Sequence, residues 1–182
     1  DVTLESLRSK IGYVPQDSFL FSTTIAENIA LGKPEASLEE IHQAAEIAGI
    51  HEDVLNFPEG YGTLVGDRGV TLSGGQKQRT AVAVSMICNR KVLVFDEPTS
   101  GLDFDSMMQV SGLIRRLADQ GRIIFLVTHD YEFLCLTCSR ILHFGEKKLM
   151  DDFPAGKKNL KKLERLFQPQ LAAGLKEKEG VS

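Results

Sequence analysis

The chain has 182 residues, 42% of them hydrophobic and 25% charged, which is enough for one ordinary core and too balanced for a disordered or fibrous protein. Its formal charge of −4 is uneven: Lys157 to Ser182 holds seven basic and three acidic side chains, net +4, leaving −8 for residues 1–156. An acidic body argues against extended nucleic-acid binding, no apolar run reaches the ~18 residues of a membrane span, and three cysteines fit a reducing, cytoplasmic setting.

In chain order, "TLESLRS" reads as a short helix and "IGYVPQ" as a strand that ends at Pro15, whose ring nitrogen cannot join a ladder, so that Gln16 stands at a strand exit. Ser37 and Glu40 have capping-box spacing ahead of a helix with Leu38, Ile41, Ala45 and Ala48 on one face, and Gly49 stops it. The glycine-rich segment Phe57 to Val70 reads as a loop. Ser73 and Gln76 repeat the capping-box spacing, so "SGGQ" opens a helix running to about Cys88. "VLVF", Val92 to Phe95, is an apolar run without alternation, as expected of a parallel strand covered on both faces. Asp96 and Glu97 stand at its carboxyl end. A helix with Met107, Val110, Leu113, Ile114 and Leu117 on one face follows and stops at Gly121, and "IIFLVTH" is a second buried strand ending at His129. Strand, helix, strand predicts a right-handed crossover and an α/β fold.

Polar groups at the carboxyl ends of such strands line the ligand crevice, which gathers Gln16, Asp96, Glu97 and His129. The start of the "SGGQ" helix is a second candidate, because the backbone N–H groups of a first turn and the positive dipole end attract anions. Gly74 and Gly75 leave room there for a phosphate; an ordinary capped helix after a glycine turn would give the same local pattern.

Taken together, Gln16, "LSGGQKQR", "VLVFDEPTSGLD" and Thr128-His129, in this order and spacing, resemble the nucleotide-binding domain of ATP-binding cassette (ABC) transporters over about residues 1–150. The resemblance implies a P-loop NTPase-like parallel sheet with an inserted helical subdomain, and ATP and Mg2+ as cofactors. It implies that Asp96 holds magnesium, generally through water, and that Glu97 is the general base. His129 would contact the γ-phosphate, and Gln16 would sense the metal and couple the site to a transmembrane partner. Ser100 to Asp103, the D-loop, would line a dimer interface, and Ser73, Gly74, Gly75 and Gln76 would cover the γ-phosphate of a nucleotide held by the other domain. The implied partners are a second nucleotide-binding domain and a transmembrane subunit at the cytoplasmic face of the membrane, with no nucleic acid.

The chain contains no G-x-x-x-x-G-K-[ST] sequence; the nearest stretch, "AGKK" at Ala155 to Lys158, has Asp151 at the first glycine position and Lys158 in place of Ser or Thr. In this family the P-loop lies several tens of residues before the glutamine, so the expectation is an amino-terminally truncated core lacking its first strands and Walker A. That leaves an exposed strand edge or apolar face. The expected parts are residual ATPase core with the Q-loop (1–24), helical subdomain with the signature (25–88), core with Walker B, D-loop and switch histidine (89–156) and basic tail (157–182). The front, through Gly66-Asp67-Arg68-Gly69, resembles exporters, whereas "DEPTSGLD" and "THDYEFL" resemble importers of the energy-coupling-factor type. Cargo and direction stay open, as does the alternative of a catalytically incompetent module that only completes a partner's site.

Two further features carry less. Cys135 and Cys138 form a C-x-x-C that, with His129 and His143, offers zinc ligands, but "YEFLCLTC" also reads as an amphipathic helix with both cysteines as small core residues. The tail "KKNLKKLERLF" places Leu160, Leu163 and Phe167 near one helical face, suiting a solvated terminal helix or one lying on a membrane or partner.

Overall fold

A computed structural model describes residues 3–66 and 70–167. The chain divides into two compact units, Asp1–His129 and Asp130–Ser182.

In the first unit, Thr3 caps α1 (Leu4–Arg8) and the chain enters β1 (Ile11–Val14), which ends before Pro15 as the sequence predicts. The helical layer follows: α2 (Ile25–Ile29), α3 (Leu38–Ala48), α4 (His51–Leu55) and α5 (Gly74–Ile87). Ser37 and Glu40 close the predicted capping box, and Gly49 ends α3 at φ 70°, a left-handed geometry in which any Cβ would be strained. Ile41, Ala45 and Ala48 are buried with Ala44, but Leu38 in the first turn is exposed. The loop before α5 is more ordered than its glycines suggest: a 3-10 turn at Gly60–Gly62 buries Tyr61, which stacks on His42 and takes a 2.8 Å hydrogen bond with His51 Nδ1. Asp67, Arg68 and Gly69 of the exporter-like stretch lie outside the described residues.

Among the described residues three parallel strands form the sheet in the order β1-β2-β3, with β2 at Val92–Asp96 and β3 at Ile123–Val127. Between them α6 (Phe104–Asp119) buries all five apolar residues of the predicted face, and Gly121 follows at φ 83°. α5 packs on α2, α3, α6 and β1. Its approach to the sheet depends on Gly12, where a Cβ would stand 2.8 Å from Ser85 Oγ and 2.9 Å from Leu93 Cδ2. Val14, Leu93 and Phe95 are buried on that face.

The other face departs from the two-sided cover expected of these strands, but not from the exposed face expected of a core lacking its first strands. "VLVF" and "IIFLV" carry no alternation, yet Val92 and Val94 are half-buried and Tyr13, Ile123, Phe125 and Val127 are exposed, so the strands are covered on one side only within the described residues. The expected exposed apolar face is this one.

The second unit holds α7 (Tyr131–Thr137) and a hairpin of β4 (Arg140–Gly145) and β5 (Lys148–Pro154), turned by Glu146 and Lys147 at positive φ. Residues 160–167 form a helix, α8. Leu134, Ile141, Phe153 and Leu163 make the core, with Tyr131, Cys138 and Phe167 packed against it. The reading of the tail as a solvated helix is corrected for residues 160–167: Leu163 is buried because this small hairpin has an apolar face that needs a cover. The cysteines are corrected in part. Cys138 is half-buried against the core, but Cys135, one position off the buried Phe133–Leu134 face, is exposed. His143 pairs with Asp151 at 3.2 Å, and no group of three or more metal-ligating side chains exists among the described residues.

Candidate functional site

Asp96 closes β2 and Glu97 begins the turn beyond it. Glu97 has φ +43°, a conformation sparsely used by side-chain-bearing residues, and its N–H donates to Val127 O at 2.8 Å. That bond prolongs the pairing of β2 with β3 by one residue and swings the carboxylate toward the end of β3. There Thr128 Oγ1 donates to Oε2 at 3.1 Å, and His129 Nδ1 lies 2.7 Å from Oε1. Glu97 is largely buried and His129 largely exposed, with side-chain exposures of 19% and 72%. The carboxylate is therefore fixed from two sides, each oxygen keeping a further lone pair, while His129 Nε2 points away from the acid.

Asp96 faces the uncovered side of the sheet. Tyr13 lies opposite Val94 in the parallel register, so its phenol reaches diagonally to Asp96 and donates to Oδ2 at 2.7 Å. This bond raises the Tyr13 pKa above its ordinary value, since ionisation would set two anions against each other. Gln16 is placed one step beyond: its Nε2 donates to Ser100 Oγ at 3.0 Å, joining the strand exit to the loop after Glu97. Gln78 of α5 in turn donates to the carbonyls of Pro15 and Gln16 at 3.4 and 3.3 Å. Gln16, Asp96, Glu97 and His129 all stand at the carboxyl end of the sheet, in the arrangement the sequence predicts.

Ser73 caps α5 with a full capping box: Gln76 N donates to Ser73 Oγ at 3.2 Å and Ser73 N to Gln76 Oε1 at 2.9 Å. The N–H groups of Gly74 and Gly75 fall in the first turn, where a helix offers no acceptor of its own. Gly74 also has a reason inside its own chain, because a Cβ there would come within 3.0 Å of Leu102 Cδ2. The helix start thus rests on the loop that leads to Asp103, which caps α6 by accepting from Ser106 N at 2.7 Å. That bond, from the Ser106 backbone, holds the Asp103 carboxyl below its usual range. Gln76 differs from the expected phosphate contact: its side chain is committed to Ser73 and, through Nε2, to Asp53 Oδ1 at 2.9 Å.

Four contacts escape the sequence reading, those of Tyr13, Thr128, Ser100 and Asp53. Tyr13 was recoverable from strand parity, since it shares a face with Asp96. Thr128 was visible as part of the motif but without a partner. The Ser100 contact depends on loop geometry, and the Asp53 contact on α4 folding beside α5; no spacing rule predicts either.

The ABC transporter family profile matches residues 1–100. YgaD of Bacillus subtilis (strain 168), provisionally named a multidrug export ATP-binding/permease protein, is 42% identical over 173 residues, 91% of this chain and 30% of its own length. The heavy metal tolerance protein of Schizosaccharomyces pombe (strain 972 / ATCC 24843) is 45% identical over 152 residues, 80% of this chain and 18% of its own. Among solved structures, a bacterial Atm1-family ABC exporter with ATP bound superposes at a TM-score of 0.77 with 34% identity, covering 91% of this chain and 29% of that one. The chain belongs to the ABC transporter family, a family of ATPases. It spans less than a third of the length of these relatives, and the match to YgaD crosses both the front and the back of the sequence. No helix among the described residues is long and apolar enough to cross a membrane.

Proposed function

We propose that the chain is the ATP-binding and ATP-hydrolysing part of an ABC transporter, which closes on a second nucleotide-binding domain with ATP between them and drives transport through a transmembrane partner, from the cytoplasmic face of the membrane. The observation that carries this reading is Glu97, held between Thr128 and His129 one residue beyond Asp96. A general base needs a fixed carboxylate with an open lone pair within reach of water, and this one has both. In that role a Glu97 oxygen takes a proton from the attacking water while Thr128 and His129 keep the carboxylate from turning. His129 Nε2, directed away from the acid, is the nitrogen left for a γ-phosphate oxygen.

The donor set fits magnesium. Asp96 offers a hard carboxylate oxygen already oriented by Tyr13, and no multi-carboxylate cage exists among the described residues. This suits an ion that keeps water and arrives with phosphates. Bound there, Mg2+ would neutralise charge on the transferring phosphoryl group. Gln16, tied to Ser100, would pass changes at the metal to the D-loop and the transmembrane partner. Ser73, Gly74 and Gly75 would receive the γ-phosphate held by the partner domain, with Gln76 acting through the helix start and Asp103 along the interface.

A second reading is a catalytically incompetent module that completes only a partner's site; it differs from the first in whether the chain, once joined to a P-loop segment, turns over nucleotide of its own. Nucleotide titration and turnover, in the 182-residue chain and in a chain joined to a P-loop segment, separate the two. The proposal expects turnover once the P-loop is present, and its loss with retained binding in Glu97→Gln. Unchanged turnover in Glu97→Gln would remove the base.

A further inference from the structure

The side chains around the α5 start form a network that neither the motif nor the base requires. Asp53, on α4, accepts from Gln76 Nε2 at 2.9 Å through one carboxylate oxygen and from Arg79 NH2 at 2.9 Å through the other. The second terminal nitrogen of Arg79, NH1, donates to Gln109 Oε1 of α6 at 2.8 Å. Arg79 is almost wholly enclosed, with side-chain exposure of 9% against 30% for Asp53. α4 is rooted in the core by Ile50 and Val54, both essentially inaccessible, so Asp53 stands on a fixed support.

Each member joins a different part of the site. Gln76 is the reciprocal partner of Ser73 in the capping box. Gln109 belongs to the helix whose first turn Asp103 caps. One carboxylate therefore orders the amide that shapes the Ser73 helix start and the guanidinium that ties this helix to α6.

We propose that Asp53 is a positioning residue for the signature helix, holding Gln76 and Arg79 so that the Ser73-Gly74-Gly75 start and the Asp103 start keep one fixed relation when a partner's phosphate is met. The proposal rests on the reading that this helix start receives that phosphate. It implies that Gln76 serves by orientation: its amide is directed into its own chain, and the phosphate is met by groups that it aligns.

The test uses the complete ATPase, P-loop segment included, assembled as a dimer. Asp53→Asn keeps one acceptor and cannot serve both partners. Gln76→Glu keeps the oxygen that accepts from Ser73 N but sets a carboxylate against Asp53. Combined, the new amide at position 53 can donate to the new carboxylate at position 76, restoring the link with its polarity reversed. Loading is read with a fluorescent ATP analogue, closure by a distance-reporting dye pair across the dimer, and folding by thermal melting.

Each single variant should load nucleotide within about twofold of wild type yet need about tenfold more ATP to close, the worth of one charge-assisted hydrogen bond. The double variant should return to within about threefold. Ser73→Arg runs alongside and should block closure. Normal closure in Ser73→Arg overturns the phosphate reading itself. Blocked closure in Ser73→Arg, with wild-type closure in the other variants or additive losses in the double variant, overturns the role of Asp53 alone. Should Asp53→Asn fail to fold, Gln76→Glu decides: closure at wild-type ATP rejects the proposal, and a closure defect with an intact melt supports it.

Discussion

Asp53 and Arg79 form one ion pair, but removing either end should not cost the same. Arg79 is enclosed and its Nε has no hydrogen-bond partner even in the intact protein. Asp53→Ala leaves that guanidinium buried with Gln109 as its one side-chain hydrogen-bond partner among the described residues. Loss of one member of a fully buried pair costs about 3–5 kcal/mol, and the partial exposure of Asp53 lowers this to about 2–3 kcal/mol because water can reach the vacated site. Arg79→Met instead removes the buried charge and the orphan Nε together and leaves Asp53 where water can hydrate it, a loss of about 1 kcal/mol. For a unit of this size, unfolding entropy near 2 cal/mol/K per residue makes 1 kcal/mol worth about 4 °C. Thermal melts followed by circular dichroism should place Asp53→Ala about 8–12 °C below wild type and Arg79→Met about 4 °C below. An Arg79→Met melt lower than that of Asp53→Ala would mean the opposite: that the direct attraction, rather than the burial of the cation, dominates.

Further consequences are open to simple assays. Burial pushes the Tyr61 hydroxyl from an ordinary 10.0 up to about 12. The folded state thus holds that proton more tightly than the unfolded chain, and the associated stability, complete below pH 10, should fade as pH rises toward 12; Tyr61→Phe should flatten this part of the curve in denaturant titrations. Burial also pushes the Cys138 thiol from 9.0 up to about 11, so at pH 8 a thiol reagent should modify the exposed Cys135 well before Cys138, and equal rates would place Cys138 outside the small core. The uncovered sheet face, with Tyr13, Phe125 and Val127 exposed, should make the 182-residue chain bind hydrophobic dye and self-associate. Phe125→Lys should reduce both without weakening the buried face; a monodisperse wild-type chain that binds no dye would show this face to be protected.

The legibility of the site followed the physics of its parts. Ser37 with Glu40 and Ser73 with Gln76 were readable because a capping box needs only neighbours three residues apart. The α6 face was readable because it repeats with the helical period. Burial of the strands was legible in part: an unbroken apolar run states what a strand tolerates rather than what covers it, and in the described chain Val94 is half-buried and Phe125 exposed on the face that the expected loss of strands leaves open. Asp96, Glu97 and His129 converge where strand-end logic places them. The acid–imidazole contact, however, depends on the positive φ of Glu97, which its sequence neighbours do not announce. Asp53 is 23 residues from Gln76, and its role appears only once α4 is folded beside α5.

On the proposed reading two functions sit at separate places in one chain: Glu97 would work on nucleotide bound to its own chain, and the Ser73 helix start would receive the phosphate bound to the partner. A dimer of complete ATPase domains with Ser73→Arg in only one of them tests this most directly, with nucleotide loading at each site and closure measured together. The bulky cation at the helix start should block the phosphate held opposite, so both sites should load ATP while the dimer fails to close. Loss of ATP loading on the mutated chain itself, with closure intact, would show that the Ser73 helix start serves its own chain's nucleotide rather than the partner's.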